Sequence, residues 1–436
     1  MGQGGYIWLA NGTTYPWKRL SNTSIRMAQW FLPESLAPGE VKRIYVEYQS
    51  DWPPDRDQSR GDTLYEVVGI NSEFAIKLRW QTGIQAVMTK MATSSQPIGS
   101  TVSLGWEHDG SVSFILAGND PDNLICTSSN VLSSGWMQQA LPLIGDRTLR
   151  HICMPSSHDA AISVVRDTTE LAAEWNTKTQ VRSISDQLGL GTRFFDIRPV
   201  IHRGTLQTGH YSSIGVLGWQ GGNGQSIAEI VDQINRYLDT NKELVILQLS
   251  HAYNRDTNFT DFTESEWHKL FQYLQKNLHN RYLPATADLT SLRLNDLISD
   301  NKAAVLVLAD IGTNIDLGPY KGDGFHRLSD FPRFDGYANV NSVEKMKADQ
   351  FQKLKEKRTN PDQEMFALCW TLTQQKEDIL KHRSILELAR LANQNLSFEV
   401  LNNCSHDSYP NLISTDRIES TDPVAVAMAI NILYAS

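Results

Sequence analysis

Cysteine is scarce in this chain. Four occur in 436 residues (Cys126, Cys153, Cys369 and Cys404), and none forms a CxxC pair. That scatter supplies neither a zinc framework nor a disulfide scaffold. No apolar run approaches the ~20 residues of a membrane-spanning helix, which excludes an integral helical membrane protein. Basic residues are not in excess: the net charge is −9, against a general nucleic-acid binder, which carries a basic stripe. The opening MGQGGYIW has no basic n-region and no apolar h-region, and Tyr6 stands where a myristoylation signal needs Ser or Thr. The expectation is an intracellular or peripheral membrane protein. Asn-x-Ser/Thr triplets at Asn11, Asn22, Asn258, Asn395 and Asn403 matter only on a secretory route.

What is present is the balance of a globular protein, with 40% hydrophobic and 20% charged residues and enough length for two or three domains. The two parts of the chain differ in grammar. Residues 1–125 read as short strands broken by turns, at Tyr6–Leu9, Val41–Tyr48, Tyr65–Ile70, Phe74–Trp80, Ile84–Thr89, Thr101–Trp106 and Ser111–Leu116. Asn11-Gly12, Pro53-Pro54 and Asp109-Gly110 punctuate them, a pattern of an all-β sandwich. Trp8, Trp17, Trp30, Trp52, Trp80 and Trp106 are expected mostly to plug its core or ends.

Residues 126–146 read as a linker. From 147 to 436 apolar strands alternate with amphipathic helices. Strands are expected at Leu149–Met154, Arg193–Val200, Leu206–His210, Leu244–Ser250, Ala303–Ala309, Met365–Thr373 and Asn411–Thr415. Those starting at Leu244, Ala303 and Met365 are nearly continuous in apolar residues, as strands buried on both faces should be. Helices are expected over Gln225–Leu238, after the Thr263-x-x-Glu266 capping box, over Gln375–Asn393, and after Asp422-Pro423. This α/β alternation, with no dinucleotide glycine fingerprint after the first strand, favours a TIM-type (β/α)8 barrel over a doubly wound sheet.

Chemistry in such a barrel sits at the carboxyl ends of the strands. Those ends carry His158-Asp159, Asp196-x-Arg198, His210, Ser250-His251 and Asp416. Histidines, an arginine and carboxylates together make an acid–base set with a built-in anion site.

The run MPSSHDAAIS, the stretch SISDQLGLGTRFFDIRPV and the Gly209-His210 pair resemble the X-domain of phosphatidylinositol-specific phospholipase C, of the metal-independent bacterial and fungal type. The resemblance covers roughly the last two thirds of the chain. It implies cleavage of a phosphodiester by attack of the inositol 2-hydroxyl, giving inositol 1,2-cyclic phosphate and diacylglycerol. His158 matches the general base and His210 the general acid. By the same pattern Asp416 supports His158, Asp159 supports His210, Arg198 holds a non-bridging phosphate oxygen and Asp196 aims Arg198. The calcium-dependent branch has Glu-x-Asp on strand two and Asn after the first histidine; Asp196-x-Arg198 and Asp159 here imply no metal and no cofactor. The expected partner is a phospholipid at a membrane surface.

This chain departs from the pattern at strand four, where Ser250-His251 replaces a Lys or Arg. His251 and Trp370 are the expected substrate contacts. The departure also supports an alternative, a lipid or inositol head-group binding protein with altered chemistry. His202-Arg203-Gly204 looks like the His-Arg-Gly of glycerophosphodiester phosphodiesterases, but without carboxylates after it reads as a turn. The glycine-rich run 212–224 is expected to be a mobile rim at a membrane interface or to pack under the sandwich.

Overall fold

The computed structural model describes residues 3–49, 58–93, 96–106, 108–119, 125–127, 134–283 and 286–435. Trp52, Pro53-Pro54 and residues 128–133 of the expected linker lie outside them, and within the described part of that linker Trp136–Ile144 is an α-helix. The chain folds as two compact units, each drawn from separate stretches. One takes Met1–Leu132, Gln394–Tyr409 and Ser420–Ser436; the other takes Ser133–Asn393 and Pro410–Glu419. The last helix, counted above with the α/β part, therefore groups with the β-rich unit. Its sequence explains this: Pro423–Leu433 is apolar on every side and packs on the strands Gln3–Thr13 and Ser111–Gly118. A helix without a polar face must be buried all round.

The β-rich unit holds two sheets. One runs Ile125–Thr127, Ser111–Gly118, Gln3–Thr13, Val41–Tyr48 and Met27–Trp30; the other runs Ser35–Leu36, Trp17–Ile25, Arg60–Val67, Ser72–Arg79, Gly83–Val87 and Thr101–Gly105. Pairing is antiparallel except between Gln3–Thr13 and Ser111–Gly118. Alternation along Arg60–Val67 turns Thr63, Tyr65 and Val67 into the core, where Trp17, Trp30, Phe74 and Phe114 fill the space between layers. Trp17–Ile25 escapes sequence reading because its apolar Leu20 and Ile25 are exposed and a bulge at Arg19/Ser21 breaks its period.

In the second unit eight strands form one parallel sheet. They are β1 (Met154–Ser157), β2 (Phe194–Ile197), β3 (Leu244–Leu249), β4 (Ala304–Ala309), β5 (Phe325–Arg327), β6 (Arg333–Asp335), β7 (Met365–Trp370) and β8 (Leu412–Thr415). The order is β5-β4-β3-β2-β1-β8-β7-β6. First and last strands pair, Ser157 opposite Thr415, so the sheet curls in the order of an eight-stranded barrel. Among the described residues no ladder joins β5 to β6. Only 328–332 separate them, too short for the crossover of ~12 residues that lets consecutive strands pair in parallel. The expected closed barrel is open at this seam.

β3, β4 and β7 are buried throughout. The helix Ile227–Thr240 opens on a Ser226/Glu229 capping box and covers the sheet with Ile227, Ile230, Val231, Ile234 and Leu238. Two expectations are corrected. Leu206–His210 is not a barrel strand: it lies within Thr205–Ser213 of a separate sheet ordered Trp219–Asn223, Thr205–Ser213, Pro199–His202, Tyr253–Asn254, Thr260–Asp261. Arg203-Gly204, with φ of 51° and 71°, turns the first hairpin, as two-residue hairpin loops require. The helix expected over Gln375–Asn393 is two, Lys376–Leu380 and Ile385–Asn393, interrupted where His382 has φ 52°.

Candidate active site

The strand ends converge on His158. Its Nδ1 is 2.7 Å from Asp416 Oδ1, and its Nε2 is 2.8 Å from Arg198 Nη2. Arg198, two residues beyond Asp196 on the exit of β2, is clamped between carboxylates. Its Nε donates to Asp196 Oδ2 at 3.1 Å and its Nη1 lies 2.8 Å from Asp159 Oδ2. Asp196 also accepts the Asp159 backbone N–H at 3.2 Å and the Ser250 hydroxyl at 2.7 Å. Asp159 is buried with φ 43°, a conformation costly outside glycine that places its carboxylate beside Arg198.

His210 enters from the separate sheet. Its Nδ1 donates to the Thr177 carbonyl at 2.8 Å, and its Nε2 faces Asp159 Oδ2 at 3.7 Å. That separation is an ion-pair distance, longer than a hydrogen bond. Gly221 allows the neighbouring strand to reach His210: its φ is 155°, and a Cβ there would lie 1.9 Å from the His210 carbonyl oxygen.

The charges are tuned by their neighbours. Burial disfavours an imidazolium at His158, but the Asp416 carboxylate outweighs it and His158 is pushed up to about 9. Against this, Arg198 donates towards Nε2 and needs its lone pair. When the ring is neutral its proton sits on Nδ1, donated to Asp416, and Nε2 presents its lone pair to Arg198. Burial opposes ionisation of Asp196, but Arg198 and His158 more than compensate and hold it well below the usual carboxylate range. The Ser250 hydroxyl gives its proton to Asp196, so His251 Nδ1, 3.1 Å from Ser250 Oγ, is the donor in that pair. Burial and then Arg198 depress the His251 pKa, leaving a neutral ring.

Two cavities meet at this cluster. One of about 260 Å³ is lined by His158, His210 and Asp416 together with the apolar Ile214, Leu372 and Ile379. The other, of about 940 Å³, is lined by Asp196, His251, Asp310, Arg327, Arg333 and Tyr337. The Tyr337 ring lies 5.3 Å from that of His158. Arg333 reaches Gln248 and stands 3.2 Å from Asp335. Neither Tyr337 nor Arg333 was expected from the sequence. Arg333 opens β6, a strand too short to carry a pattern, and Tyr337 follows it.

His158, Asp159, Asp196, Arg198, His210, His251 and Asp416 are thus brought together. Trp370 is not with them. It is buried against Phe351 and its Nε1 donates to the Ala392 carbonyl at 2.9 Å, because it lies within β7 on the side covered by helices. In the rim run, Trp219 packs on Tyr253 and Phe259, whereas Ile214, Val216 and Leu217 are exposed. Among the described residues no group of three or more His, Cys, Asp and Glu side chains is arranged to hold a metal ion, and no helix is long and apolar enough to cross a membrane.

Fold and site together define an α/β protein with two histidines, three carboxylates and a buried guanidinium gathered at the strand ends of a curled parallel sheet. Among solved structures, the chain is similar to the phosphatidylinositol-specific phospholipase C from Listeria monocytogenes, at 17% identity, covering 69% of this chain and 99% of that one, with a TM-score of 0.50. It is also similar to a mutant of the phosphatidylinositol-specific phospholipase C from Staphylococcus aureus, at 16% identity over 68% and 96% of the two chains, with a TM-score of 0.48. The fold is that of the bacterial phosphatidylinositol-specific phospholipases C. No protein-family model and no curated protein matches the chain.

Proposed function

We propose that this chain is a phosphodiesterase that cleaves phosphatidylinositol, or a related phosphodiester, at a membrane surface without a metal ion. The observation that carries this reading is His158 held between Asp416 and Arg198. A base needs a free lone pair aimed at the reacting proton and a carboxylate behind it to stabilise the imidazolium that forms. His158 Nε2 takes the proton of the inositol 2-hydroxyl as that oxygen attacks phosphorus. Arg198 turns from the histidine to the non-bridging phosphate oxygen, where negative charge grows. His210, as the imidazolium, donates from Nε2 to the departing glycerol oxygen; its Nδ1–H stays hydrogen-bonded to the Thr177 carbonyl. The products are inositol 1,2-cyclic phosphate and diacylglycerol.

A divalent cation at this place needs carboxylates that are free to ligate. Asp159 and Asp196 are instead occupied by Arg198 at 2.8 and 3.1 Å, and a fixed guanidinium supplies the charge that a metal would. The larger cavity, polar and lined by His251, Asp310 and Tyr337, receives the head group. The exposed Val216, Leu217 and Leu380, on the loop and the helix that also supply Ile214 and Ile379 to the smaller cavity, face the lipid.

The test is incubation with phosphatidylinositol vesicles in EDTA beside His158→Ala, followed by phosphorus NMR. A cyclic inositol phosphate signal that the substitution abolishes is the expected result. No cyclic product from the folded protein would overturn the reading in favour of head-group binding alone.

A further inference from the structure

The segment Thr177–Gln180 has no charge to lend to a reaction beyond Lys178, yet it touches the His210 ring and the backbone of both loops that carry His158 and Asp416. The Thr177 carbonyl accepts from His210 Nδ1. The Thr179 hydroxyl donates to the Asp159 carbonyl at 2.9 Å, and the Thr179 carbonyl accepts from the Arg417 N–H at 2.9 Å. Gln180 does most. Its amide nitrogen donates to the carbonyls of His158, at 2.9 Å, and Thr415, at 3.0 Å, and its amide oxygen accepts from the Ile418 N–H at 3.1 Å. One fully buried side chain therefore ties the loop leaving β1 to the loop leaving β8, on both sides of Asp416.

We infer that Gln180 is a positioning residue that sets the register between His158 and Asp416. The inference takes the proposed base–carboxylate pair as its object. β1 and β8 stop pairing at Ser157 and Thr415, and beyond them a single 3.2 Å backbone hydrogen bond, from the His158 N–H to the Thr415 carbonyl, continues the ladder. Asp159 and Arg417, one residue past His158 and Asp416, have φ of 43° and 48°. Chain held in the left-handed region persists only when its surroundings over-determine it. A primary amide is the one side chain that can donate twice and accept once in a plane, which is what two carbonyls and an N–H require here. Asn393 adds to the same end by donating to the Asp416 carbonyl at 2.9 Å.

The test reads the histidine itself. The groups facing the His158 ring are Asp416 at Nδ1, Arg198 at Nε2, Asp159 at 3.9 Å, Asp196 behind Arg198, and the Tyr337 ring. Of these, Asp416 favours the imidazolium most. The His158 ring proton, assigned by its loss in His158→Ala, is titrated by NMR in the full chain, in Gln180→Met and in Gln180→Asn. Methionine keeps the length without hydrogen bonds; asparagine keeps the amide but is too short to span both loops. Should Gln180→Met not fold, the milder Gln180→Asn carries the measurement. Gln187→Leu is the control: Gln187 is equally buried and donates to the Ala160 and Arg182 carbonyls, away from the pair.

The expected result is a fall of ~1 unit or more in the His158 titration in both Gln180 variants, as its carboxylate partner drifts, with no change in Gln187→Leu. An unchanged titration in the Gln180 variants overturns the inference, and so does an equal shift in Gln187→Leu, which would mark a general loosening. The measurement needs no turnover, so a chain inactive on phosphatidylinositol would still pass or fail it.

Discussion

His158 and Asp416 are 258 residues apart in the chain, and their Nδ1 and Oδ1 atoms are 2.7 Å apart. The contact is a consequence of sheet order. β1 and β8 are neighbours with Ser157 opposite Thr415, so the next residue on each strand leaves the sheet at the same place. The pair is largely buried, with side chains 14% and 4% exposed, which makes its charge more effective than on a surface.

Asp416→Asn keeps the shape and removes that charge. The amide cannot stabilise an imidazolium and can present the wrong atom to Nδ1, favouring the wrong tautomer. The expected loss is about 10³-fold or more in kcat on phosphatidylinositol vesicles, by analogy with other His–carboxylate dyads. KM should change little, because Asp416 acts on the base rather than on bound lipid. A steady-state comparison with His158→Ala checks it.

The same pair gives stability a pH dependence. The Asp416 carboxylate pushes His158 in the folded chain up to about 9, above the ~6.5 of an unfolded histidine. A raised pKa stabilises fully below the unfolded value and the stabilisation is lost as pH rises through the folded one. The amount is about 3 kcal/mol. Thermal unfolding midpoints should therefore fall between pH 6.5 and 9 in the wild type and stay flat in Asp416→Asn. Asp196 has the opposite sign: its depressed pKa stabilises above the ordinary carboxylate range, and this is lost in acid.

Some of this was legible in the sequence because it is local. His158-Asp159 and Asp196-x-Arg198 sit in short runs whose spacing alone puts them at strand ends. The apolar runs of β3, β4 and β7 read as buried strands for the reason that they are buried on both faces. What failed was what depends on tertiary partners. β5 and β6 have three residues each, below the length at which any period is visible, so Arg333 and Tyr337 had no address. Trp370 reads as an aromatic near a strand end, but the helices over β7 decide that it is core. Gln180 is invisible in principle: a glutamine beside a capped helix looks like any other until the two loops it joins are known.

Arg198→Lys tests whether the guanidinium is a charge or a shape. A lysine ammonium is one point and cannot meet His158, Asp159 and Asp196 together, as the three nitrogens of Arg198 do. The expected loss is about 10²–10³-fold in kcat, the range for one misplaced transition-state donor. Arg198→Ala should in addition lower stability by roughly 3–5 kcal/mol, because two buried carboxylates are left without their cation. Urea unfolding of the two variants separates the effects: a stability loss as large in Lys as in Ala would show that the fork itself, rather than its charge, holds the carboxylates.

The exposed lip predicts how the chain meets its lipid. Val216 is fully exposed and Leu380 is 84% exposed, and each follows or adjoins a residue that lines the smaller cavity. Burying one such side chain in an apolar phase is worth about 2 kcal/mol, roughly 30-fold in affinity. Val216→Asp and Leu380→Asp should each weaken binding to phosphatidylinositol-containing vesicles by at least that factor, because a charge is then placed where apolar contact is made. Neither side chain belongs to a core cluster, so unfolding midpoints should not move. Sedimentation with vesicles of fixed composition reads the affinity directly. Equal binding by both variants would place the membrane contact elsewhere on the chain, even if the reaction itself proceeds as proposed.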